Sequence, residues 1–432
     1  MPQATSEHIA SHLRTLRIAS IAAWLCTVFL LYASSLLPLF DSSPRVVLPE
    51  QSLSTRLVSP LLRWDAFHFL HIAQNGYTYE QNWAFLPGIA HIMTFPARFL
   101  EYTGLTDASN ESLSAASLLG SASMLSIFCG TTELLYRLTL LHFKSPSLAY
   151  LTALLSLLSS SPAISRFSAY NEPFFTYLSY RGMLSCATHD IWKATGFFVA
   201  AAWLRSNGFM LAGFVVWDAI FRPLLGNKRV STAHIMQAVL STLCICAPFA
   251  IHQYTAYRAF CMHGEHPSWC SYRVPSIYGY VQDRYWNVGF LRYWTPAQLP
   301  NILLAAPILI SIFSFSFSHL RASTLPALLR HPLISAHPVA LRLHAVCMPN
   351  KSIFWQESII PHILHSLVMC SILLFAAHTQ ITLRLAASMP TTFWAAAHLM
   401  VQRPRAGRWW VAWSVVWGAT SIILWAVFLP PA

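Results

Sequence analysis

Long stretches of this chain contain no aspartate, glutamate, lysine or arginine. Each stretch reaches or approaches the roughly 20 residues that a helix needs to cross about 30 Å of hydrocarbon. Because backbone groups in lipid must be hydrogen-bonded within their own segment, we expect helices, whereas a barrel would show short alternating strands. The pattern predicts an all-α integral membrane protein with about eight to ten crossings. The stretches are residues 18–40, 113–132, 145–165, 230–257, 293–320, 358–383 and 409–432.

The composition agrees with a chain whose solvent is mostly lipid. Charged residues make up 10% of it, hydrophobic residues make up 55%, and the mean hydropathy is +0.49. A soluble protein carries about a quarter charged residues. The net charge of +12 would suggest a nucleic-acid partner in a soluble protein, but the basic residues lie in short connectors between apolar stretches. Such clustering is typical of cytoplasmic loops, so we expect no nucleic-acid partner.

The composition of the connectors between these stretches predicts which side of the membrane each connector faces. The short basic connector at 134–144 is predicted to be cytoplasmic. The aromatic-rich segments 41–112 and 258–298 are predicted to be two large lumenal loops, and 166–181 a third, shorter one. No separate soluble domain is visible, so residues 1–432 are interpreted as a single multi-spanning membrane domain.

The predicted number of crossings between the loop 166–181 and the connector 222–229 is inconsistent with the predicted sides of these two segments. The basic connector 222–229 is expected on the cytoplasmic side, which requires an odd number of crossings after the lumenal loop. The sequence shows two segments, 183–204 and 208–221, and Asp190, Lys193 and Asp218 interrupt them. We therefore expect one of them to be a half-helix or a re-entrant piece that lines a protein cavity.

Asp65 is the first candidate for chemistry. The chain has only fifteen acidic residues among its 432. Asp65 is flanked by Trp64 and Phe67 close to a membrane surface, and poor solvation there makes a carboxylate a better base. The alternative interpretation is an interfacial acid paired with Arg63, with Trp64 as a belt residue.

Four arginines lie in or near the predicted lumenal loops and are candidates for binding a phosphate, because the guanidinium fork contacts two oxygens at once. For each of them, the alternative is a side chain that extends to the membrane interface and has no substrate. They are Arg63, Arg181, Arg205 and Arg284.

Asn171 and Glu172 form a second polar pair in an apolar setting. One interpretation is that they bind an acceptor sugar. The other is that they start a helix, since Pro173 suits a first helical position.

Cys261 and Cys270 flank a short polar segment, unlike the other cysteines, most of which lie in apolar runs. An oxidising compartment favours a disulfide between them. Free thiols remain an alternative. So does a metal site that uses His263, Glu265 and His266 from the same segment.

Several blocks together resemble the PIG-V family, the family of GPI mannosyltransferase II. They occur in the family's order from the first apolar stretch to about residue 310, and MPTTFWAAA at 389–397 is a weaker match. The blocks are RWDAFHFLHIAQNGY (63–77), WAFLPG (83–88), NEPFFTYLSYRGM (171–183), LRSNG (204–208) and the run from YRAFC to LAAPILI (257–310).

The resemblance implies a polytopic helix bundle of the GT-C glycosyltransferase type with large lumenal loops. It implies transfer of mannose from dolichyl-phosphate mannose to the GPI precursor lipid in the endoplasmic reticulum lumen, as the second, α1,6-linked mannose and with inversion. It implies no cofactor and no metal, and a possible accessory membrane subunit. It makes Asp65 the catalytic residue, and the matched blocks add Trp64 and Asn207 to the substrate-binding candidates.

The chemistry suits a single acid. Inversion needs one carboxylate to take the proton of the acceptor hydroxyl while the phosphate leaves from the opposite face.

Two other functions stay open from the residues alone. Asp190, Lys193 and Asp218 within apolar segments are the best support for a lipid or solute transporter or flippase. The third hypothesis is a non-catalytic subunit of GPI assembly.

Overall fold

The computed structural model describes residues 2–48, 52–103, 113–262, 266–329 and 352–429. Within these ranges the chain is predominantly helical and contains no β-strand, so the prediction of an all-α fold is confirmed. In the first half of the chain the α-helices are α1 (Pro2–Ser34), α2 (Ser43–Val47), α3 (Leu53–Val58), α4 (Asp65–Asn75), α5 (Gly88–Tyr102), α6 (Ala115–Ser126), α7 (Thr131–Phe143), α8 (Pro146–Leu155), α9 (Pro162–Arg166), α10 (Glu172–Ala187) and α11 (Ile191–Leu204).

The second half continues this pattern of long helices joined by short ones. Its α-helices are α12 (Ala212–Val216), α13 (Arg222–Leu225), α14 (Thr232–Cys261), α15 (Ile277–Trp286), α16 (Leu299–His319), α17 (Leu325–Leu329), α18 (Ile360–Phe375), α19 (Ile381–Leu385), α20 (Pro390–Gln402) and α21 (Pro404–Ala426). Short 3₁₀ turns occur at Ser59–Leu61, Glu80–Ala84, Ser206–Leu211, Ser268–Ser271, Pro296–Gln298, Glu357–Ile359 and Ala386–Ser388, and π-helical turns at Trp217–Phe221 and Leu320–Thr324.

Seven helical segments in the described part of the chain are long and apolar enough to cross a membrane, so the multi-pass prediction is confirmed. Two shorter apolar helices, α8 and α11, lie between them. The count of eight to ten crossings stays a prediction. The seven segments are Glu7–Ser34, Ala115–Phe143, Ser206–Leu225, Thr232–Cys261, Pro296–Leu329, Glu357–Phe375 and Pro404–Ala426.

The structure changes part of the prediction for residues 166–229. Residues 172–181, expected to be part of a loop, are the first part of α10, because Pro173 takes a first-turn position where its missing N–H costs nothing. Three helical segments therefore follow one another: α10, α11 and Ser206–Leu225. Among the described residues, α10 is not one of the segments long and apolar enough to cross a membrane, so the half-helix or re-entrant piece stays a prediction.

Two contacts define the ends of this three-segment unit. Glu172, at the start of α10, contacts Arg205, just past the end of α11, with 2.7 Å between Oε1 and Nη1. We call this the site end. His189, in the turn between α10 and α11, contacts Asp218 with 2.9 Å between Nδ1 and Oδ1, and we call this the opposite end. The two helices thus form a hairpin that runs from one end of the bundle to the other and back.

Small residues let this hairpin pack closely. A Cβ at Gly182 would lie 2.3 Å from the Phe198 ring, so α10 and α11 meet where only glycine fits. The turn is also fixed locally, because the Asp190 side chain accepts a hydrogen bond from the backbone N–H of Lys193 at 3.2 Å and so caps α11. Asp190 therefore has a structural role as the cap of α11, through the backbone N–H of Lys193.

The two predicted large loops are folded and contact each other. Within 41–112, the described residues form α2 to α5, and 49–51 and 104–112 lie outside the described residues. Within 258–298, α15 and a 3₁₀ turn pack on the turn at Glu80–Ala84. Trp269 Nε1 donates to Glu80 Oε1 at 3.2 Å, and the Tyr285 hydroxyl donates to Glu80 Oε2 at 3.2 Å. These segments form a small second core beside the helix bundle.

Candidate active site

Asp65 is the first residue of α4, and its side chain is 30% exposed. A carboxylate at this position is stabilised by the unpaired N–H groups and the dipole of the helix. Trp64, directly before it, has a φ of 49°, which is strained for a bulky residue. Such strain persists only where the surroundings enforce it, and it is concentrated at functional sites.

Arg63 enforces part of this conformation. Its side chain is almost fully buried, with 1% exposed, and it donates four hydrogen bonds, all to backbone carbonyls. Two of those carbonyls belong to Trp425 and Ala426 at the end of α21, at 3.2 and 2.8 Å. Burial lowers the pKa of Arg63 to about 10. These contacts favour a structural anchor for the start of α4, and substrate binding by Arg63 stays a prediction that they do not support.

The partner of Asp65 is Arg384, from α19, and not Arg63 as the alternative interpretation had it. Arg384 Nη2 lies 2.9 Å from Asp65 Oδ2 and 2.8 Å from Glu172 Oε1, and Nε donates to the same Glu172 oxygen at 2.9 Å. Burial acts to lower the pKa of Arg384, but the carboxylates of Glu172 and Asp65 outweigh it and raise the pKa above its usual range. A permanently charged arginine therefore joins the two acids.

Glu172 is the buried centre of this network. Its side chain is 2% exposed, and its Oε1 contacts both Arg384 and Arg205. Its other oxygen, Oε2, is buried with no hydrogen-bond partner among the described residues, and the same is true of Asn171 Oδ1. Asn171 precedes α10, but its side chain does not cap the helix. The two residues start a helix, as one interpretation had it, and sugar binding stays a prediction. Each still offers a buried acceptor without a partner among the described residues, which calls for an explanation.

Arg205 brings a second positive charge to the site. Its side chain is 16% exposed, and its Nε donates to Asn207 Oδ1 at 3.2 Å. The LRSNG segment therefore places Arg205 against Glu172, and Asn207 holds Arg205.

Tyr170 lies beneath these charges. Its hydroxyl donates to the backbone carbonyl of Arg63 at 2.9 Å, and the Arg384 guanidinium lies 5.1 Å from the centroid of its ring. Burial, together with the negative charge of Asp65, raises the pKa of Tyr170 well above its usual value. Tyr170 thus stays a neutral donor that connects the anchor of α4 to the residue that holds Asp65.

Sequence reasoning did not identify Arg384 or Tyr170. For Arg384 a signal existed: it is the only Asp, Glu, Lys or Arg between Glu357 and Arg403. A lone charge in so apolar a region predicts a functional or paired residue. Tyr170 is one of sixteen tyrosines, and no pattern in the sequence marks it.

Three other predicted substrate-binding residues lie apart from this network. Arg181 is on α10, about 13 Å along the helix from Glu172, and its guanidinium packs on Tyr177 and Phe197. Arg284 is an exposed residue of α15. Trp64 is 40% exposed and packs on Phe428, with 5.1 Å between the ring centroids. The structure leaves their roles as predictions.

The structure joins Cys261 and Cys270 in a disulfide, with 5.6 Å between their Cα atoms. It ties the end of α14 to the 3₁₀ turn that packs on Glu80. Among the described residues, no group of three or more histidines, cysteines or acids is arranged to hold a metal ion. His263 and Glu265, two of the three residues of the alternative metal site, lie outside the described residues.

Comparison with known proteins gives the site a context. Residues 16–432 match the model of the mannosyltransferase (PIG-V) family. A GPI mannosyltransferase 2 from Cryptococcus neoformans var. neoformans is 34% identical over 429 residues, which cover 92% of this chain and 93% of the relative. The GPI alpha-1,6-mannosyltransferase 2 of Rattus norvegicus is 30% identical over 403 residues, with 84% of this chain and 78% of the relative covered. The human protein of the same name is also 30% identical, over 382 residues. The chain therefore belongs to the PIG-V family of mannosyltransferases.

Proposed function

We propose that this enzyme transfers mannose from dolichyl-phosphate mannose to the GPI precursor lipid, forming the second, α1,6-linked mannose with inversion. The names of its relatives support the acceptor and the linkage. The donor, the inverting mechanism and the GT-C type of the bundle rest on the resemblance of the sequence blocks to the family. A transporter or a non-catalytic subunit is not the function that this family membership supports.

One observation carries the mechanism: Arg384 joins Asp65 to Glu172 at the ends of three helices, α4, α10 and α19. Asp65 is the more exposed acid, at 30%, and Glu172 is buried, at 2%. An exposed carboxylate is the one that reaches substrate, and a buried one fixes the arginine. We therefore assign Asp65 as the catalytic base and Glu172 as a positioning residue.

In this proposal Arg384 occupies Asp65 Oδ2, and Oδ1 receives the proton of the acceptor 6-hydroxyl. The acceptor oxygen forms the new bond to C1 of mannose while the bond from C1 to the phosphate oxygen breaks. The phosphate leaves with the bonding electrons as dolichyl phosphate. One carboxylate is enough, because no covalent sugar–enzyme intermediate forms when the configuration inverts.

The leaving phosphate needs positive charge, and Arg384 and Arg205 supply it. They are 12% and 16% exposed, so little water screens them. Once Asp65 is protonated, it no longer neutralises Arg384, and the arginine becomes a stronger partner for the phosphate at the moment the phosphate leaves. Proton transfer and leaving-group stabilisation are thereby coupled through one side chain.

Two hydrogen-bond acceptors that have no partner in the described part of the chain lie where they could orient a substrate. Asn171 Oδ1 and Glu172 Oε2 are adjacent in sequence, buried and without partners among the described residues. Sugar hydroxyls are the donors that such oxygens accept from, and leaving a buried acceptor unpaired costs about 1–3 kcal/mol. We propose that they bind hydroxyls of one of the two substrates and hold it against Asp65.

We place the enzyme in the endoplasmic reticulum membrane with the site end facing the lumen, and we expect no cofactor. The argument for orientation is the short basic connectors at the opposite end, such as Lys144 and Lys228. We expect an accessory membrane subunit as a partner, as the family resemblance implies.

The test uses the full chain in cells that lack the second GPI mannose. Expression should restore precursors with two mannoses, read by mass, and a linkage-specific mannosidase should show an α1,6 bond. The purified chain is then assayed with dolichyl-phosphate mannose or GDP-mannose as donor, with and without co-expressed membrane partners. Transfer from GDP-mannose alone would overturn the donor, and transfer only in the presence of a second catalytic chain would overturn the assignment of Asp65.

Orientation has its own test. A single cysteine introduced beside Asp65 is labelled by a membrane-impermeant reagent in sealed microsomes, before and after the membrane is opened. We expect labelling only after opening. Labelling of sealed vesicles would place Asp65 on the cytosolic side and contradict the proposed mechanism.

A further inference from the structure

A cavity of about 420 Å³ lies at the opposite end of the bundle, away from the Asp65 site. It is formed by the end of α7, the turn after α10, the π-helical turn at Trp217–Phe221 and the start of α18. Its apolar lining includes Phe214 and Trp217, and its polar lining includes His142, His189, Asp218, Arg222, Glu357 and His362. Nothing in the mannosyl-transfer mechanism uses these polar residues.

The depth of the cavity follows from the helices that form it. Three membrane-crossing segments line it: Ala115–Phe143 with its last turn, Ser206–Leu225 from Phe214 onward, and Glu357–Phe375 with its first turns. Lys144, Lys228 and Arg229 follow directly in the connectors. Helix ends followed by basic residues lie at the level of lipid headgroups. The mouth of the cavity is therefore at headgroup depth, and Phe214 and Trp217 continue its apolar wall toward the membrane interior.

Asp218 is the charged centre of the cavity. Its side chain is 6% exposed, and its Oδ1 accepts from Arg222 Nε at 2.6 Å and contacts His189 Nδ1 at 2.9 Å. Its Oδ2 is buried and has no partner among the described residues. An unpaired oxygen of a buried carboxylate is costly unless a donor, best a cation, approaches it.

Two buried histidines, His142 and His362, also line the cavity. His142 is 7% exposed and His362 is 2% exposed, and each has a buried ring nitrogen without a partner, Nε2 and Nδ1 respectively. By contrast, Arg222 and His189 are 46% and 53% exposed and lie at the mouth of the cavity. The site thus offers a deep anionic acceptor, and its exposed side carries a cation, Arg222, together with an acid, Glu357.

We propose that this cavity binds the headgroup of a phospholipid that carries a primary ammonium, as in the ethanolamine class. The ammonium donates to Asp218 Oδ2 and to the free histidine nitrogen of His142 or His362. The phosphate lies at the rim against the guanidinium of Arg222, whose Nε donates to Asp218. The acyl chains leave along the apolar wall.

The ammonium is the distinguishing feature. A choline headgroup has the same net charge but cannot donate a hydrogen bond, and a glycerol headgroup donates hydroxyls without a positive charge. Charge-assisted hydrogen bonds contribute about 1.5–3 kcal/mol, which corresponds to roughly tenfold or more in affinity. We therefore expect the affinity to fall from ethanolamine to glycerol to choline phospholipids.

The test uses the purified full chain in detergent with dioctanoyl phosphatidylethanolamine, phosphatidylglycerol and phosphatidylcholine as probes. Bound lipid is read by native mass spectrometry, and Tm is measured at each concentration. We expect phosphatidylethanolamine to bind about tenfold more tightly than phosphatidylcholine and to raise Tm accordingly. Asp218→Asn should remove this preference and leave mannosyl transfer intact. Asp190→Asn, which removes an acid at the same end but outside the cavity, should keep the preference.

A second variant keeps the proposal testable if Asp218→Asn does not fold. Ala187→Trp fills the cavity from its rim and should abolish phosphatidylethanolamine binding without removing any charge. Equal binding of ethanolamine and choline lipids, a preference for phosphatidylglycerol, or an undiminished ethanolamine preference in either cavity variant would overturn the proposal. Because lipid binding and mannosyl transfer are measured separately, failure of one is distinguishable from failure of the other.

Discussion

Glu172 and Asp218 are two buried carboxylates with the same arrangement of contacts. In each, one oxygen contacts two basic side chains and the other oxygen has no partner among the described residues. The difference lies in the bases. The arginines on Glu172 are 16% and 12% exposed, whereas the bases on Asp218 are 46% and 53% exposed. The same geometry is thus water-excluded in one region and solvated in the other.

This difference decides what each region can do. Around Glu172 the charges are mutually neutralised and little screened, so removing one of them leaves another buried and unpaired. Around Asp218 the bases return to water when they lose their partner, so the pair contributes little to stability. The first arrangement suits fixed positions for catalysis, and the second suits exchange of a ligand.

The largest effect is expected for the catalytic acid itself. Asp65→Asn keeps the size of the side chain but removes the base, so mannosyl transfer should fall by about 10²- to 10⁴-fold while the protein still reaches its membrane. Transfer is measured with purified protein and labelled donor. The control is Asp41→Asn, an exposed acid in the same predicted loop that accepts from the Ser43 N–H at 2.7 Å and should leave transfer unchanged. Normal transfer by the Asp65 variant would exclude Asp65 as the base.

The comparison of the two carboxylates is tested directly by matched amide substitutions. Glu172→Gln should lower stability by about 3–5 kcal/mol, because two buried arginines lose a shared anion. Asp218→Asn should cost about 0–1 kcal/mol, since its partners are exposed. The readout is Tm in one detergent. Equal losses in the two variants would mean that exposure of the partners does not set the cost.

Arginine-to-lysine changes separate charge from geometry. Lysine at 384 keeps the positive charge but cannot contact Asp65 and Glu172 with one planar group, so transfer should fall by about 10- to 100-fold. The matched change Arg222→Lys at the opposite end should leave transfer within about twofold, because that arginine is half exposed. Unimpaired transfer by the Arg384 variant would show that a point charge suffices.

The smallest effect concerns the hairpin that connects the two regions. Gly182→Ala places a Cβ against the buried Phe198 ring and should cost about 1–3 kcal/mol. Gly196→Ala, on the other helix of the hairpin, meets nothing within 4 Å and should be neutral or stabilising by up to about 1 kcal/mol. Tm and transfer are measured for both. If the Gly182 variant lost transfer without losing stability, the hairpin would be acting on the site and not merely supporting it.

The sequence by itself determined the membrane character of the chain and its helical class. Uncharged stretches long enough to cross hydrocarbon leave the backbone little choice but helix, so local pattern suffices there. It also singled out Asp65, Asn171, Glu172 and Arg205, because polar residues are few in such a chain and each is conspicuous, and the family resemblance added Asn207.

The tertiary structure alone decided how these residues are paired. Asp65 contacts Arg384, which is far away in sequence, and the adjacent Arg63 turns instead to the backbone of α21. It also decided that residues 172–181 are helical and not part of a loop. Charge neutralisation and helix packing depend on distances in space, and a one-dimensional pattern of polar and apolar residues carries no information about which distant segments meet.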